Sequence, residues 1–387
     1  MRFMFVVPPF TGHVNPTVAV AAALAERGHD AVWCGPPEIL DLLPVGARLF
    51  ATGDAPDQAG GYARLHTNWQ RLRGVAALRF LVEETLVPLA HAMLPGVTAA
   101  VTAYRPDVVV ADQQTFAGAF AAVRAGVPWA TSATTSAEFT RPLLGFPKVA
   151  DWVRTRIAGA AIAAGVPADC DPRFSARLVL VFSTPELVGL TEPAPAHHCY
   201  VGPAFGPRPA AVDFPWDRLD PGRHRVLVSL GTLNREAGAR FYPAVVTATR
   251  PLADRLQVIL AAPERLAGEP AEHVLIREFV PQLDLLPHLD AVVTHGGHNT
   301  VCEALAFGLP LVLAPIRDDQ PIVARQVVAA GAGVRVRFGR AHVPEIRAAV
   351  TDVLDRPDLR AGAHRVRASF AAAGGAHAAA DRLEKLC

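Results

Sequence analysis

Residues 291–320 hold the densest group of side chains that could bind a ligand. An apolar strand pattern ends at His295, two glycines follow, and a helical pattern opens at Asn299. Glycine lets a backbone approach a ligand closely, and the N-terminus of a helix offers N–H groups and a positive dipole end to an anion. Asp319 and Gln320 follow the next apolar run with groups suited to binding hydroxyls. The stretch therefore predicts a site for a nucleoside diphosphate that carries a sugar.

A second group of residues could transfer a proton. His13 lies in the segment Pro8–Pro16, which follows the first predicted strand. A neutral imidazole suits proton abstraction from a hydroxyl because its unperturbed pKa is about 6.5. Asp112 ends another predicted strand, at the matching edge of the same sheet, where its carboxylate could hold the imidazole N–H. Two plainer interpretations stay open: His13 is an ordinary loop residue, and Asp112 caps the helix that follows it.

Strand patterns alternate with helical patterns along the chain, which predicts βαβ units and parallel sheets. The predicted strands of the first half are Arg2–Val7, Ala31–Cys34, Val108–Ala111, Val127–Ser132 and Leu178–Ser183. Those of the second half are Arg225–Ser229, Gln257–Ala261, Val274–Arg277, Ala291–Val293 and Gly331–Val336. A helix is predicted over Pro16–Arg27, with Asn15 as its N-cap and Pro16 at its first position. A Pro- and Gly-rich interval, Gly202–Gly222, separates the two sets.

Length, charge and cysteine usage restrict the class of protein. The 387 residues are enough for about two domains. The net charge is +1, from 37 basic and 36 acidic residues, so electrostatics favours neither nucleic acid nor an anionic membrane as a partner. The five cysteines are scattered without a CxxC pair, which favours a reduced, cytoplasmic environment. No apolar run reaches the roughly 18 residues of a membrane span, so none is expected, and no pattern specifies an oligomeric state.

An ordered set of motifs in the second half resembles the donor signature of UDP-dependent family-1 glycosyltransferases. The set consists of Phe279–His288, His295-Gly-Gly-x-Asn-Thr, Glu303, Gly308-x-Pro310 and Asp319-Gln320. Within that family the chain is similar to bacterial glucosyltransferases of apolar natural products, including those acting on zeaxanthin, macrolides and antibiotics. The resemblance implies an α/β protein of the GT-B fold, with two Rossmann-like parallel-sheet domains facing a cleft.

The resemblance also implies how the chain is divided. It places an acceptor-binding domain at 1–203, a linker at 204–223, a nucleotide-sugar-binding domain at 224–365 and a C-terminal helix at 366–387. The terminal helices, around Pro344–Leu354 and His377–Leu386, would cross back onto the N-terminal domain.

Individual roles follow from the same resemblance. His13 is expected to be the catalytic base and Asp112 its partner. The expected donor-binding residues are Ser229, Gly231, Thr232, Phe279, Val280, Gln282, His295, Gly297, His298, Asn299, Thr300, Glu303, Asp319 and Gln320. Apolar candidates for acceptor binding are Phe10, Trp69, Phe80, Phe139 and Phe146, although each could equally be buried core. Phe279 would stack on the base of the nucleotide, and backbone groups of Val280 would recognise that base. Glu303 would bind ribose hydroxyls.

Several of these residues have a competing structural interpretation. Thr300 and Glu303 match a capping box, in which the glutamate bonds the N-cap amide of a helix. Ser229 and Thr232 could simply shape a turn, although a turn before a helix also suits phosphate oxygens. The sequence further departs from the family pattern, because plant members carry tryptophan where Phe279 stands and His298 replaces another tryptophan.

Two possible sequence motifs are rejected, and no cofactor or metal is expected. Asp169-Cys-Asp171 matches the D-x-D motif of metal-dependent glycosyltransferases, but it lies in a Pro-flanked loop that is far along the chain from the donor turn. The first strand is not followed by Gly-x-Gly-x-x-Gly, so a nicotinamide or flavin has no fingerprint there. Helix N-termini, His295 and Thr232 would instead meet the charge of the departing diphosphate.

The resulting prediction is an inverting enzyme that transfers a hexose to a hydroxyl of an apolar acceptor. Glucose from UDP-glucose is the expected donor, because the Asn299-Thr300 pair is similar to enzymes that use UDP-sugars, and a TDP-deoxysugar is the alternative. Two other classes remain open: an enzyme similar to UDP-N-acetylglucosamine 2-epimerase, and a non-catalytic protein that binds nucleotide sugars.

Overall fold

The computed structural model of the chain describes residues 1–52, 72, 74–190, 192–206, 212–232, 234–269 and 271–386. They form two compact units, each built on one parallel β-sheet. Unit 1 comprises Met1–Ser183, Glu192–Pro209 and Ala373–Cys387, and unit 2 comprises Thr184–Thr191 and Ala210–Ala372.

Unit 1 contains a sheet of seven strands in the order β3-β2-β1-β4-β5-β6-β7. The strands are β1 Arg2–Val6, β2 Asp30–Gly35, β3 Leu49–Ala51, β4 Val108–Asp112, β5 Trp129–Ala133, β6 Val179–Val181 and β7 His198–Tyr200. All pairs are parallel, and β1 and β4 are buried along nearly their whole length because helices cover both faces. The sequence pattern did not reveal β3 and β7, which have only three residues each.

The helices of unit 1 cover the two faces of this sheet. They are α1 Thr11–Glu26, α2 Gly74–Phe80, α3 Val87–Tyr104, α4 Phe116–Ala125, α5 Pro147–Ala163 and, at the end of the chain, α13 Gly375–Glu384. A π-helical segment, Leu81–Leu86, joins α2 to α3, and 3₁₀ turns lie at Pro37–Leu42 and Ala137–Thr140. One face packs against α1 and α13 through residues such as Val18 and Leu383, and the other packs against α3 and α4 through Met93 and Ala117.

Helix α1 begins five residues earlier than predicted. It starts at Thr11, so Pro16 lies inside the helix and His13 lies in its first turn rather than in a loop. The N–H groups of His13 and Val14 donate to the Phe10 carbonyl at 2.8 and 3.1 Å, which closes that turn. Proline removes one hydrogen bond from a helix, but complete burial of Val14 in the core holds the early turn in place.

One helical stretch is apolar enough on average to meet a criterion for membrane spans. Residues 74–104 form a helix whose best 18-residue window has a mean hydropathy of 1.5, sufficient by length and composition alone. The expectation of no membrane span, which counted uninterrupted apolar residues rather than average hydropathy, stays a prediction. Within this stretch α3 buries Leu89, Met93, Val97 and Val101 in unit 1, and a buried core helix meets the same criterion.

Unit 2 contains six parallel strands in the order β10-β9-β8-β11-β12-β13. They are β8 His224–Ser229, β9 Leu256–Ala261, β10 Val274–Arg277, β11 Ala291–Thr294, β12 Leu311–Leu313 and β13 Gly333–Arg335. The α-helices are α6 Pro185–Val188, α7 Phe241–Thr249, α8 Gln282–Leu285, α9 His298–Ala306, α10 Gln320–Ala329, α11 Val343–Asp355 and α12 Pro357–Ala373. The 3₁₀ turns are Trp216–Arg218, Arg235–Ala239, Arg250–Leu252, Glu264–Leu266, Leu286–His288 and Phe338–Arg340.

The two terminal helices expected to cross back behave differently. Helix α13 packs against α1 in unit 1, where Leu383 is fully buried. Helix α11, which corresponds to the predicted Pro344–Leu354, packs against α7 in unit 2 and buries Ile346 and Val350 there. The expectation for this helix was wrong, because its apolar face is needed to cover the sheet of unit 2.

Described parts of the predicted linker, 204–223, are packed rather than extended. Gly206 lies so close to α1 that an added Cβ would be 2.9 Å from the Ala19 Cα atom. Phe214 is 4% exposed in the core of unit 2, and its ring lies 4.8 Å from that of Trp216. The segment is therefore anchored to unit 1 before residue 207 and to unit 2 after residue 211.

Candidate active site

The carboxyl ends of β1 and β4 position the predicted catalytic pair. These strands are neighbours from which the chain winds outward in opposite directions, and open α/β sheets bind ligands at such a switch point. His13 follows β1 in the first turn of α1, and Asp112 is the last residue of β4. The Nδ1 atom of His13 lies 2.9 Å from Oδ2 of Asp112. The structure therefore brings the two residues together, with Asp112 fully buried.

Thr134 joins this pair and was missed by the sequence analysis. It follows β5, is 4% exposed, and places its Oγ1 2.8 Å from His13 Nδ1. The same hydroxyl donates to Asp112 Oδ2 at 3.0 Å. A carboxylate and a hydroxyl facing Nδ1 assign the proton of a neutral His13 to that nitrogen, so Nε2 carries the lone pair. The group can therefore hold His13 as a base that accepts a proton at Nε2.

Asp112 also fixes the backbone beyond its own strand. Its Oδ1 accepts the N–H of Gln114 at 2.8 Å, in the turn before α4. The carboxylate thus uses one oxygen for the backbone and the other for His13 and Thr134. The N-cap of α4 is Thr115 and no side chain caps it, so the interpretation of Asp112 as a helix cap is wrong.

The predicted acceptor residues do not form one cluster. Phe10 precedes α1, and its ring centroid lies 5.8 Å from that of His13, so it lies beside the candidate base. Phe139 instead packs edge-on against Phe174, His198 and Tyr200. That packing makes Phe139 part of an aromatic cluster at the sheet edge.

Two further acceptor candidates, Phe80 and Phe146, lie elsewhere in unit 1. Phe80 is half-buried at the end of α2. Phe146, immediately before α5, is 60% exposed. Trp69 lies outside the described residues. Among the candidates that the structure describes, Phe10 alone is placed next to His13 by a ring contact.

In unit 2 the corresponding switch point lies between β8 and β11. His295 follows β11, and its ring is enclosed by two glycines. A Cβ atom added to Gly231, which has φ +70°, would lie 2.7 Å from the ring Cε1, and one added to Gly297 would lie 2.5 Å from Nε2. Both contacts are shorter than side chains tolerate. The two glycines therefore create the space that the His295 ring occupies.

Burial sets the charge of His295. The residue is 7% exposed, and burial lowers its pKa to about 4, with the Ser229 backbone opposing this shift and the charge of Arg317 adding to it. Thr294 Oγ1 lies 3.3 Å from Nδ1. His295 is consequently neutral near pH 7 and offers no charge, and its single ring N–H could be given to an anion only in place of the Ser229 backbone.

The N-terminus of α9 provides the predicted anion site. Gly297 precedes the helix and no side chain caps it. The bond from the Val301 N–H to the Gly297 carbonyl, at 3.0 Å, closes the first turn. The N–H groups of Asn299 and Thr300 belong to that turn, which in a nine-residue helix favours an anion.

His298, also predicted to bind the donor, is turned along its own helix. It is 6% exposed, and its Nε2 lies 3.4 Å from Sγ of Cys302 one turn later. Burial raises the pKa of the Cys302 thiol, so that thiol stays protonated. The structure thus gives His298 a contact within α9.

The capping-box interpretation of Glu303 is wrong. Helix α9 begins at His298, so Thr300 is its third residue and not its N-cap. The Glu303 carboxylate is 5% exposed and accepts a hydrogen bond from Nε2 of Gln282, at the start of α8. The structure therefore brings together two residues that the family resemblance assigns to the donor. A buried carboxylate held by an amide is suited to accept hydrogen bonds from ribose hydroxyls.

Phe279, the predicted stacking residue, carries a cation on one face. The guanidinium carbon of Arg235 lies 4.2 Å from the ring centroid, and the Phe279 side chain is 55% exposed. Arg235 is anchored by the Thr232 carbonyl at 3.4 Å and by Glu278 at 3.5 Å. Val280 follows Phe279 and packs against the core of unit 2.

The turn after β8 and the loop after β12 are stiffened from within. Ser229 Oγ accepts the Gly231 N–H at 3.3 Å, the turn-shaping role left open for it, whereas Thr232 is exposed. Gln320 is 4% exposed, and its Oε1 accepts the N–H groups of Ile316 and Arg317 at 2.9 and 3.1 Å. The Gln320 amide thus closes the loop that precedes α10.

Two residues of this loop system were missed by the sequence analysis. Arg317 is 5% exposed, and its Nη2 donates to Oδ1 of Asn234, which is also 5% exposed. Asp318 adopts φ 57°, a backbone conformation uncommon outside glycine, and Asp319 precedes the first residue of α10. No sequence spacing links Arg317 to Asn234, which are separated by 83 residues.

The D-x-D match has a local explanation. Oδ1 and Oδ2 of Asp171 accept hydrogen bonds from Arg173 at 2.9 and 2.7 Å, so this carboxylate belongs to an ion pair. Among the described residues no group of three His, Cys, Asp or Glu side chains could hold a metal ion.

Comparison with known proteins identifies the family. The model of the erythromycin biosynthesis protein CIII-like C-terminal domain matches residues 257–386. The chain is 32% identical over 423 residues to 4'-demethylrebeccamycin synthase of Lentzea aerocolonigenes. That alignment covers 100% of this chain and 99% of the synthase. The chain belongs to the family-1 natural-product glycosyltransferases. The resemblance seen in the sequence is thereby confirmed.

Two further comparisons extend over the whole chain. Demethyllactenocin mycarosyltransferase of Streptomyces fradiae is 31% identical over 399 residues, covering 99% of this chain and 86% of that protein. The solved structure of glycosyltransferase VinC in complex with dTDP matches with a TM-score of 0.78 at 21% identity, covering 100% and 99% of the two chains. The predicted GT-B fold is confirmed. As a member of this family, the present chain is a glycosyltransferase.

Proposed function

We propose that this glycosyltransferase moves a hexose from a nucleoside diphosphate sugar to a hydroxyl of an apolar natural product. UDP-glucose is the first candidate donor. The observation that carries the proposal is the contact of His13 with Asp112 and Thr134 at the switch point of unit 1. Nε2 takes the hydroxyl proton, and the acceptor oxygen attacks the anomeric carbon opposite the diphosphate. The bond from that carbon to the diphosphate oxygen breaks, and its electron pair leaves with the diphosphate. A single displacement inverts the anomeric centre.

The donor assignment rests on the groups gathered in unit 2. The buried Glu303, held by Gln282, would accept the ribose hydroxyls, and Phe279 would stack on the base. The N-terminus of α9 and the neutral His295 would donate hydrogen bonds to the diphosphate. The proposal includes no metal, so transfer is expected to proceed unchanged in EDTA.

A TDP-sugar is the second candidate donor, because the similar VinC structure holds dTDP. The two nucleotides differ at the ribose 2'-hydroxyl and at the 5-methyl group of the base. Binding of UDP, 2'-deoxy-UDP, 5-methyl-UDP and dTDP, each measured by calorimetry, separates these differences. We expect loss of the 2'-hydroxyl to weaken binding about tenfold, and Glu303→Gln to remove that preference.

The decisive experiment offers labelled nucleotide sugars with a panel of polyketide, macrolide, carotenoid and flavonoid alcohols. Product anomers are identified by NMR. An inverted glycoside formed only with acceptor present supports the proposal. Interconversion of UDP-N-acetylglucosamine without any acceptor would indicate an epimerase. Tight nucleotide binding with neither reaction would indicate a binding protein.

Thr134→Val is expected to lower kcat about tenfold with little change in the acceptor KM. The variant removes the hydroxyl that contacts both His13 Nδ1 and Asp112 Oδ2, a loss of about 1–1.5 kcal/mol, while keeping the branched shape. Thr134→Ser retains the hydroxyl and should restore the rate. Equal impairment of both variants would assign Thr134 to packing alone.

Gly297→Ala is expected to weaken UDP binding about 10–100-fold, because the Cβ atom of the alanine would displace the His295 ring. Calorimetry on a double-mutant cycle tests the cause: in a His295→Ala background the same substitution should cost little. Gly339→Ala is the control, since nothing lies within 4 Å of a Cβ there. Additive losses in the double variant would show that Gly297 acts independently of His295.

A further inference from the structure

Arg317 is a buried cation whose side chain spans two loops of unit 2. It stands in the loop between β12 and α10, and its guanidinium reaches Asn234 in the loop after β8. Its Nε also lies 3.4 Å from Asp318 Oδ2. His295 follows β11, the strand between β8 and β12 in the sheet. The guanidinium therefore connects the loops on either side of the candidate diphosphate site.

The backbone of Arg317 is held as firmly as its side chain. The N–H groups of Ile316 and Arg317 both donate to the buried Gln320 amide. Asn234, the acceptor of the guanidinium, is itself buried. A side chain fixed at both ends offers its charge without the entropic cost of ordering a flexible arginine.

Burying a guanidinium is costly for a protein, because the charge loses its hydration. The described partners of the Arg317 guanidinium include Asn234, which contributes a dipole, and Asp318, whose Oδ2 lies 3.4 Å from Nε. The neighbouring His295 is neutral, so it does not supply the positive charge of this region. A fixed cation beside a neutral histidine and a helix N-terminus is an arrangement complementary to an anion of high charge.

We propose that Arg317 supplies the fixed positive charge that binds the donor's diphosphate and stabilises it as the sugar leaves. The inference rests on the proposed function. When the bond between the anomeric carbon and the diphosphate oxygen breaks, the electron pair adds one negative charge to the nucleotide. A cation already in place stabilises that charge without reorganisation. The guanidinium extends to Asn234, two residues beyond Thr232, which assigns it to the phosphate side of the site.

The test compares UDP with uridine, which has the same base and ribose but no phosphate. Both dissociation constants are measured by calorimetry for wild type, Arg317→Met, Arg317→Lys and Asn234→Asp. We expect Arg317→Met to weaken UDP binding about 10–100-fold and to leave uridine binding unchanged. Arg317→Lys keeps the charge and should recover part of the loss. Asn234→Asp keeps the guanidinium but sets a carboxylate against it, so UDP binding should also weaken selectively.

Arg325→Met is the matched control, because it removes an exposed arginine from α10 of the same unit. It should change neither constant. Equal weakening of UDP and uridine in Arg317→Met and Asn234→Asp would overturn the proposal and assign Arg317 to folding. Unchanged UDP binding would overturn it as well. A wild-type protein that binds neither UDP nor dTDP would instead contradict the proposed function and this inference with it.

Discussion

His13→Ala is expected to lower the rate of sugar transfer by about 10²–10⁴-fold, the usual contribution of a general base. The physical reason is the loss of the only ring nitrogen assigned to accept the acceptor's proton, Nε2, while Nδ1 is held by Asp112 and Thr134. UDP affinity should stay near that of wild type, because the candidate donor residues belong to unit 2 and His13 to unit 1. Initial rates at saturating donor, together with calorimetry of UDP, measure both quantities.

Two companion variants make this expectation specific. His91→Ala removes an exposed histidine from α3 of the same unit and should leave the rate unchanged. Asp112→Asn should also slow turnover, since a neutral amide cannot stabilise the imidazolium that forms when His13 takes the proton. A His13→Ala enzyme that glycosylates an aliphatic alcohol at the wild-type rate would show that another group is the base.

The contact between His13 and Asp112 could be predicted from sequence because it depends on strand ends. His13 and Asp112 each follow an apolar run that forms a central parallel strand, and the order of those strands makes them neighbours. The same reasoning applies to His295, which follows β11. A residue that closes a buried strand is placed by the sheet itself, so its position can be inferred without knowledge of side-chain packing.

Residues whose role comes from packing could not be predicted. Thr134 lies beyond β5 without any motif, and only the fold brings its hydroxyl to His13 and Asp112. Arg317 is one of many arginines in the sequence, and its burial is created by loops distant along the chain. A pattern of residue types indicates which groups could do chemistry, but the depth at which a charge is buried depends on tertiary contacts.

Local rules also failed where tertiary burial opposed them. Asn15 and Pro16 are a strong helix-start signal, yet α1 begins at Thr11 because the core buries Val14. The capping-box motif at Thr300 and Glu303 likewise lies inside α9. Its glutamate accepts a hydrogen bond from Gln282 instead of bonding the N-cap amide. In both cases contacts made in the folded chain override the local helix signal.

The free energy of unfolding is expected to fall by roughly 3 kcal/mol as the pH drops from about 6.5 to about 4, because of His295 alone. Burial lowers the folded pKa to about 4, whereas an unfolded histidine has a pKa of about 6.5. A difference of about 2.5 in pKa, at about 1.4 kcal/mol for each unit, gives about 3.5 kcal/mol over the whole titration, and most of it is lost between the two pKa values. The sign follows because the unfolded chain binds the extra proton in this interval. The contribution is complete above pH 6.5 and is lost toward pH 4.

Urea unfolding at a series of pH values, compared with His295→Asn, measures this contribution. Asparagine does not titrate, so the variant should show a flatter decline, with the difference between the slopes of the two curves confined to about pH 4–6.5. Burial also lowers the pKa of His273, which acts in the same direction and remains in both proteins. His91→Asn, an exposed histidine, controls for the substitution itself. Parallel curves for wild type and His295→Asn would contradict this prediction, because they would mean that His295 has the same pKa in the folded protein as in the unfolded chain.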